Sequence, residues 1–240
     1  MTRQILDKQS WTTLRISLNN SYENPADWSS VIKLFNQRIR DFYFTPINNI
    51  LKPNNRKGEG FSILTLQCAL IEMLAAFRQG KIHNRSKSKN GFKYEYKDSS
   101  SCFIDFLKTE KIFRKHFYIT DKKTGIEKLN PNYTANEFYG KVRCGLMHEA
   151  RTKENWLITA GDDTVSSTKM FITYNPITNT KSVNRTTLQI ILEKYFNDVY
   201  LKDLVRKDTE GNKFRRLFAR KLDHLFDIPR DMSFDWWKDK

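Results

Sequence analysis

The most apolar stretch of the chain, FSILTLQCALIEMLAAFRQGKI at Phe61 to Ile82, constrains the fold more than any other feature. It is too long for a strand, and apolar residues occupy most sides of its helical projection. It also contains Gln67 and Glu72, which make it too polar for a membrane span. The stretch therefore predicts the central helix of a helical bundle, ending near Gly80.

Glu72 is the informative residue of this predicted helix. An unpaired buried charge is costly, so a carboxylate inside such an apolar segment is usually paired. The alternative is that Glu72 simply faces solvent. The sequence favours neither interpretation over the other.

Apolar spacing predicts helices over most of the remaining chain. Spacing of three and four indicates amphipathic helices in DWSSVIKLFNQRIRDFYFTPINNIL, with an end or kink at Pro46, and in RTTLQIILEKYFNDVYLKDLV. In NWLITAG, KMFITYNP and TKSVN the period changes to two, which predicts three short antiparallel strands. We expect a mainly α fold: a helical bundle with a small antiparallel three-stranded insert at about residues 156–184 and C-terminal helices over 185–240.

Length and composition describe a folded protein of a reducing compartment. A chain of 240 residues can form one domain or a main domain with an appendage, and we predict a single domain over residues 1–240. The N-terminal MTRQILDKQSWTT lacks an apolar signal region, which favours the cytoplasm and no membrane contact. The cysteines Cys68, Cys102 and Cys144 are odd in number and widely spaced, so no disulfide framework is expected.

Charge is the strongest compositional signal. The chain has 42 Lys and Arg against 27 Asp and Glu, a net charge of +15. Such an excess attracts polyanions, and nucleic acid is the usual partner. The segment Lys81 to Ser101 combines lysines with Phe92, Tyr94 and Tyr96. It is either an arm that follows phosphates, with rings for base stacking, or a solvated loop.

Several classes of active site are excluded by motif. The four histidines lie far apart and form no metal-ligand spacing with one another or with cysteine. The chain has no Walker A loop, no G-x-G-x-x-G and no G-x-S-x-G. We therefore expect neither a bound metal nor a cofactor.

The segment VRCGLMHEAR retains chemical interest because it places Arg143 five residues before His148. Thr134 and Glu137 form a capping box, so the helix that carries both residues begins near Ala135. Residues five apart lie about 140° apart around a helix. Arg143 and His148 therefore flank one face, and a phosphate contacts both only if a second helix closes the site.

Arginine and histidine suit cleavage of RNA without a metal. Histidine accepts and donates a proton near neutral pH, and arginine binds phosphate oxygens with a permanent charge. A general base on the ribose 2′-hydroxyl and electrostatic stabilisation of the phosphate are sufficient. As a bare pattern, however, this spacing is weak, and a satisfied surface histidine is the ordinary interpretation of His148.

The context of the pair resembles a known superfamily. FYGKVRCGLMHEAR, preceded by LIEMLAAFR and followed by strands, is similar to the HEPN superfamily of helical-bundle domains. Many members are ribonucleases of toxin–antitoxin, abortive-infection and other phage-defence systems. The hallmark R-x4-6-H is matched by Arg143 and His148, and the resemblance covers roughly Asp27 to Glu149.

The resemblance implies roles for named residues. Arg143 would clamp the phosphate and His148 would act as general base or acid, in a cleft where the motifs of a homodimer meet. Cys144 replaces the polar residue often found after the arginine and lies on the face of His148. Glu72 or Glu149 would orient the arginine or the histidine.

Lys141 and Arg151 flank the motif. The resemblance implies that they hold the RNA backbone, although each is equally well explained as an ordinary surface charge. The implied partners are RNA, a second copy of the chain, and an antitoxin or other defence protein. Two alternatives remain open: a non-catalytic HEPN-like module that binds nucleic acid or a partner, and a DNA-binding regulator that uses the basic segment Lys213 to Lys221.

Overall fold

A computed structural model describes residues 5–19, 21, 23–52, 58–86, 91–161 and 169–238. These parts of the chain are mostly helical with small sheets, which confirms the mainly α class. The α-helices span Lys8–Leu18, Ser29–Ile39, Thr45–Leu51, Glu59–Gln79, Ser99–Thr109, Lys111–Arg114, Ala135–Glu137, Cys144–Glu149, Arg185–Tyr195, Leu201–Leu204 and Thr209–Leu225. Wider π-helical turns span Arg40–Phe44, Phe138–Arg143 and Phe196–Tyr200, and Asp235–Trp237 is a 3-10 turn.

Two local features differ from the predictions. The helix Lys8–Leu18 was not predicted, although Asp7 and Ser10 form a capping box at its start. Pro46 does not end the preceding helix, because a π-helical turn over Arg40–Phe44 leads directly into Thr45–Leu51.

The strands of the predicted insert form a sheet, but it is not wholly antiparallel. Strands Ile172–Asn175 and Thr180–Asn184 pair antiparallel, as expected. Trp156–Thr159 pairs parallel with Thr180–Asn184, which is the central strand of the three. Its connection to the next strand covers more than ten residues, long enough to reverse direction without a hairpin. Shorter pairs join Ile82–His83 with Glu95–Tyr96 in parallel and Tyr118–Thr120 with Glu127–Leu129 antiparallel.

The chain divides into two compact units. The first comprises Met1–Thr45, Met73–Cys102 and Phe196–Lys240, and the second comprises Pro46–Glu72 and Phe103–Tyr195. The predicted single domain over residues 1–240 stays a prediction.

In the first unit, one carboxylate joins the two ends of the chain. Asp223 is fully buried and accepts hydrogen bonds from Arg15 and from the indoles of Trp11, Trp236 and Trp237, each at 2.8 Å. A buried carboxylate is tolerated when charge-assisted hydrogen bonds satisfy its oxygens. This arrangement fastens both the N-terminal helix and the C-terminal turn to the helix Thr209–Leu225.

In the second unit, aromatic rings surround the start of the helix that carries the R-x4-H motif. Phe138 is fully buried. Its ring centroid lies between 5.9 and 6.2 Å from those of Phe103, Phe117, Trp156 and Phe171. This packing, which includes a strand of the parallel pair, fixes the root of the motif helix in the core.

The helix Glu59–Gln79 is long and apolar enough to cross a membrane, by length and composition alone. The core helix of a soluble protein meets the same criterion. Gln67, halfway along it, is fully buried and donates to the carbonyl of Arg185 at 2.8 Å. A polar side chain satisfied by a neighbouring helix is typical of a protein core, as the sequence predicted for this segment.

Candidate functional site

The motif helix begins where the capping box predicts. The hydroxyl of Thr134 accepts from the backbone N–H of Glu137 at 3.2 Å, and the Glu137 carboxylate accepts from the N–H of Thr134 at 2.9 Å. From Ala135 the helical backbone runs without a break to Glu149. The predicted start near Ala135 is confirmed.

Within this helix, residues Phe138–Arg143 form a π-helical turn, which the sequence did not indicate. The N–H of Cys144 donates to the carbonyl of Tyr139, five residues earlier, rather than to the fourth. Such wide turns are rare and occur frequently at functional sites. Here the wide turn ends at Arg143 and buries Val142 completely.

Arg143 is bound by Glu72 of the long helix. Its Nη2 and Nε atoms donate to the same oxygen, Oε2 of Glu72, at 2.7 and 3.2 Å. The arginine side chain is 15% exposed and the carboxylate 27% exposed. Of the two interpretations of Glu72, the paired one is therefore correct, and its partner is the motif arginine.

This pair sets the charge state of the site. Burial opposes the charged form of Arg143, but the hydrogen bond and negative charge of Glu72 outweigh it and raise the arginine pKa. The ring of Tyr139 lies 5.4 Å from the guanidinium carbon. Arg143 thus remains fully charged in a fixed orientation.

Two cysteines lie beside this ion pair. The Cys144 side chain hydrogen bonds with Arg143, its neighbour in sequence. Cys68, one helical turn before Glu72, is buried, and burial raises the pKa of its thiol to about 12. No hydrogen bond joins Cys144 to His148 within the described chain, so the predicted contact with the imidazole is not observed.

His148 is exposed in the last turn of the motif helix. Among the described residues it has no hydrogen-bond or ion-pair partner. Neither Glu72 nor Glu149 orients the imidazole, in contrast to what the resemblance implies for a supporting carboxylate. The ordinary interpretation of a surface histidine whose ring is satisfied by a protein neighbour does not apply to His148.

The remaining predicted residues form ion pairs with acidic neighbours. Glu149 pairs with Lys153 at 2.5 Å and with Arg151 at 3.6 Å, and the hydrogen bond from Lys153 lowers the pKa of its carboxyl. Lys141 pairs with Glu154. A phosphate bound by Lys141 or Arg151 would therefore compete with these carboxylates.

The chain returns along the motif helix immediately after His148, and this required a small residue that sequence reasoning did not single out. A Cβ on Gly145 would lie 2.5 Å from the carbonyl oxygen of Arg151. The N–H of Lys153 donates to the carbonyl of Lys141 at 2.8 Å. Ala150 makes the reversal in a left-handed conformation, with φ of 54°. The glycine between Arg143 and His148 was the available sequence signal for this close approach.

In the part of the chain that the structure describes, no three His, Cys, Asp or Glu side chains form a group that could hold a metal ion. Comparisons of the chain with protein-family models, with curated proteins and with solved structures each find no match. Any functional conclusion therefore depends on the residues and geometry described above.

Proposed function

We propose that the protein is a metal-independent endoribonuclease of HEPN type, with Arg143 and His148 as its catalytic residues. One observation carries the proposal: an exposed histidine without a protein partner follows an arginine that a carboxylate from another helix holds in place. The finer fold belongs to the same proposal. In it, Glu59–Gln79 and the motif helix are neighbouring helices of a HEPN bundle.

The two side chains supply the chemistry of 2′-hydroxyl attack. His148 takes the proton of a ribose 2′-hydroxyl, and the oxygen attacks the adjacent phosphorus. The bond to the 5′ oxygen breaks, leaving a 2′,3′-cyclic phosphate and, after protonation, a 5′-hydroxyl. Arg143 stabilises the charge on the phosphate oxygens through the N–H groups that Glu72 does not use.

A second copy of the chain completes the site in this proposal. Arg143 and His148 lie about 140° apart around one helix, so a single helix does not direct both at one phosphate. Two motif helices that face each other across a two-fold axis would bring each histidine opposite the partner's arginine. The proposed setting is a cytoplasmic toxin or phage-defence enzyme, with RNA as substrate and an antitoxin or defence protein as further partner.

Cleavage of a labelled single-stranded RNA by the purified protein tests the proposal. His148→Ala should lower the rate about 100- to 10,000-fold, and Arg143→Ala about 100- to 1,000-fold. His83→Ala, which removes another exposed histidine, is the matched control and should leave the rate unchanged. EDTA should have no effect. Equal cleavage by wild type and both motif variants, or inhibition by EDTA that Mg²⁺ reverses, would contradict the proposal.

A non-catalytic RNA-binding module is the second candidate, and a specific observation favours it. The charge of Arg143 is already balanced by Glu72, and Lys141 and Arg151 pair with other carboxylates. The site thus attracts a phosphate less than its cations alone suggest. This candidate predicts salt-sensitive RNA binding without strand cleavage, and an affinity that His148→Ala does not change.

A further inference from the structure

A cavity of about 340 Å³ in the first unit lies beside the paired strands Ile82–His83 and Glu95–Tyr96. Ile82, Ile228 and Trp237 supply its apolar walls. This volume is within the range of small-molecule sites, which combine apolar walls with a few polar groups. The residues of the R-x4-H motif take no part in it.

One polar group in this wall lacks a partner. Tyr94 lines the cavity and is only 5% exposed, yet its hydroxyl makes no hydrogen bond to any described residue. The ring itself is held firmly. Phe92 stacks on it with centroids 5.1 Å apart, Trp237 meets it edge-on, and the Arg220 guanidinium carbon lies 4.5 Å from its centroid. A fixed, buried hydroxyl without a partner is costly, so it marks a place where a ligand would supply the missing hydrogen bond.

The polar lining of the cavity combines one cation with acceptors and an imidazole. Arg230 lines the cavity, and its guanidinium carbon lies 4.0 Å from the centre of the Phe92 ring, which holds its planar group in place. Glu95 and His224 complete the polar part of the lining. An anionic group on the ligand would suit Arg230, and N–H donors would suit the carboxylate of Glu95.

The surrounding sequence is strongly basic. The segment Lys81 to Ser101, which supplies one wall, has six Lys or Arg residues against two acidic ones. Its rings are not free to stack on bases, as the interpretation of a flexible arm required, because Tyr94 is buried and covered by Phe92. The segment instead surrounds a pocket with positive charge, and this attracts phosphorylated ligands.

We propose that this cavity binds one nucleoside monophosphate unit, either as a free nucleotide or as one nucleotide of single-stranded RNA. The base lies between the apolar walls, with the Tyr94 hydroxyl and the Glu95 carboxylate at its edge, and the phosphate lies on Arg230. Because a carboxylate accepts from amino groups, guanine is favoured over uracil, whose carbonyls face it with acceptors. The site is independent of RNA cleavage and stands whether or not the motif is catalytic.

Calorimetric titration of the full chain with GMP, UMP, guanosine and inorganic phosphate tests the proposal. We expect saturable binding of GMP that is tighter than that of UMP, of guanosine or of phosphate. Tyr94→Phe removes only the hydroxyl and should weaken GMP binding about five- to tenfold. Arg230→Gln should weaken it at least about tenfold and make GMP bind no tighter than guanosine. Arg206→Gln, outside the cavity, is the control and should bind as the wild type does.

A second arm identifies the source of the nucleotide. A ten-residue single-stranded RNA containing guanine is titrated into the His148→Ala chain, in which cleavage is not expected. Losses on adding Tyr94→Phe that appear with RNA but not with GMP assign the cavity to an RNA nucleotide, and losses with GMP alone assign it to free nucleotide. Absence of saturable binding in both arms, or binding that neither Tyr94→Phe nor Arg230→Gln changes, overturns the proposal. Thermal unfolding of both variants at the wild-type temperature establishes that a loss is local.

Discussion

The pair Glu72–Arg143 provides the sharpest test of the site, and Glu72→Gln is the substitution that isolates it. Glutamine keeps the size of the side chain and one acceptor oxygen, and removes only the negative charge beneath Arg143. Two observations determine the expected cost. Both nitrogens of Arg143 bond the same carboxylate oxygen, and the two side chains are 15% and 27% exposed.

The expected destabilisation lies between two limiting cases. Exposed ion pairs contribute up to about 1 kcal/mol, and breaking a fully buried pair costs about 3–5 kcal/mol. Glu72 and Arg143 are mostly covered but not sealed from water, so we expect Glu72→Gln to cost about 2 kcal/mol, in the range of charge-assisted hydrogen bonds. For a chain of this size, that cost corresponds to a fall in Tm of about 4–8 °C.

Urea denaturation and thermal unfolding measure this effect, and a double-mutant cycle with Arg143→Gln isolates the pair from its surroundings. The matched control is Glu149→Gln. Its carboxylate is 38% exposed in a pair with Lys153, so the cost should stay below about 1 kcal/mol. Coupling below about 0.5 kcal/mol between positions 72 and 143, with equal costs for the two glutamate variants, would refute the geometry of the site.

Three further predictions concern stability. Burial, reinforced by a neighbouring lysine, lowers the pKa of His116 to about 3. Below about pH 6.5 the unfolded chain therefore binds a proton that the native chain does not, and stability falls by up to about 1.4 kcal/mol per pH unit toward pH 3. His116→Leu should flatten this slope in urea titrations from pH 7 to 4, and parallel slopes would contradict the assignment. Asp223→Asn should cost about 3–5 kcal/mol in chemical denaturation because Arg15 loses its buried counter-charge, and a cost below 1 kcal/mol would count against the four-donor arrangement. Gly145→Ala should destabilise by about 1–3 kcal/mol, whereas Gly140→Ala, with open space at its Cβ, should stabilise the helix; thermal unfolding that ranks them the other way would exclude the close approach.

Local signals predicted local structure well. The capping box at Thr134 and the apolar spacing of Glu59–Gln79 each depend on residues within a turn or two, so the sequence alone identified both elements. The helix Lys8–Leu18 escaped prediction because a buried arginine, Arg15, occupies its inner face where a pattern of apolar residues was sought. A charged residue facing the core is explained only by its distant partner, Asp223.

Features set by distant parts of the chain were not predictable in this way. Sequence reasoning expected Glu72 to have a partner, but the 71 residues that separate it from Arg143 concealed which cation it was. The parallel pairing of Trp156–Thr159 depends on the path of a long connection, which periodicity does not report. The π-helical turn before Arg143 also has no recognisable pattern, because it depends on how Phe138 and Val142 pack in the core.

The two candidate functions assign opposite effects to the same carboxylate. If Glu72 positions Arg143 for catalysis, Glu72→Gln should lower kcat for RNA cleavage about 10- to 100-fold with little change in KM, because a displaced guanidinium stabilises the transition state less. If the site only binds RNA, Glu72 neutralises a cation that would otherwise contact phosphate. The same substitution should then tighten RNA binding and steepen its dependence on salt, because one more positive charge becomes available. A filter-binding series at 50 to 200 mM salt, measured beside the cleavage assay on the same Glu72→Gln protein, therefore decides between them: tighter, more salt-dependent binding without any cleavage by wild type would contradict the catalytic assignment of Arg143 and His148.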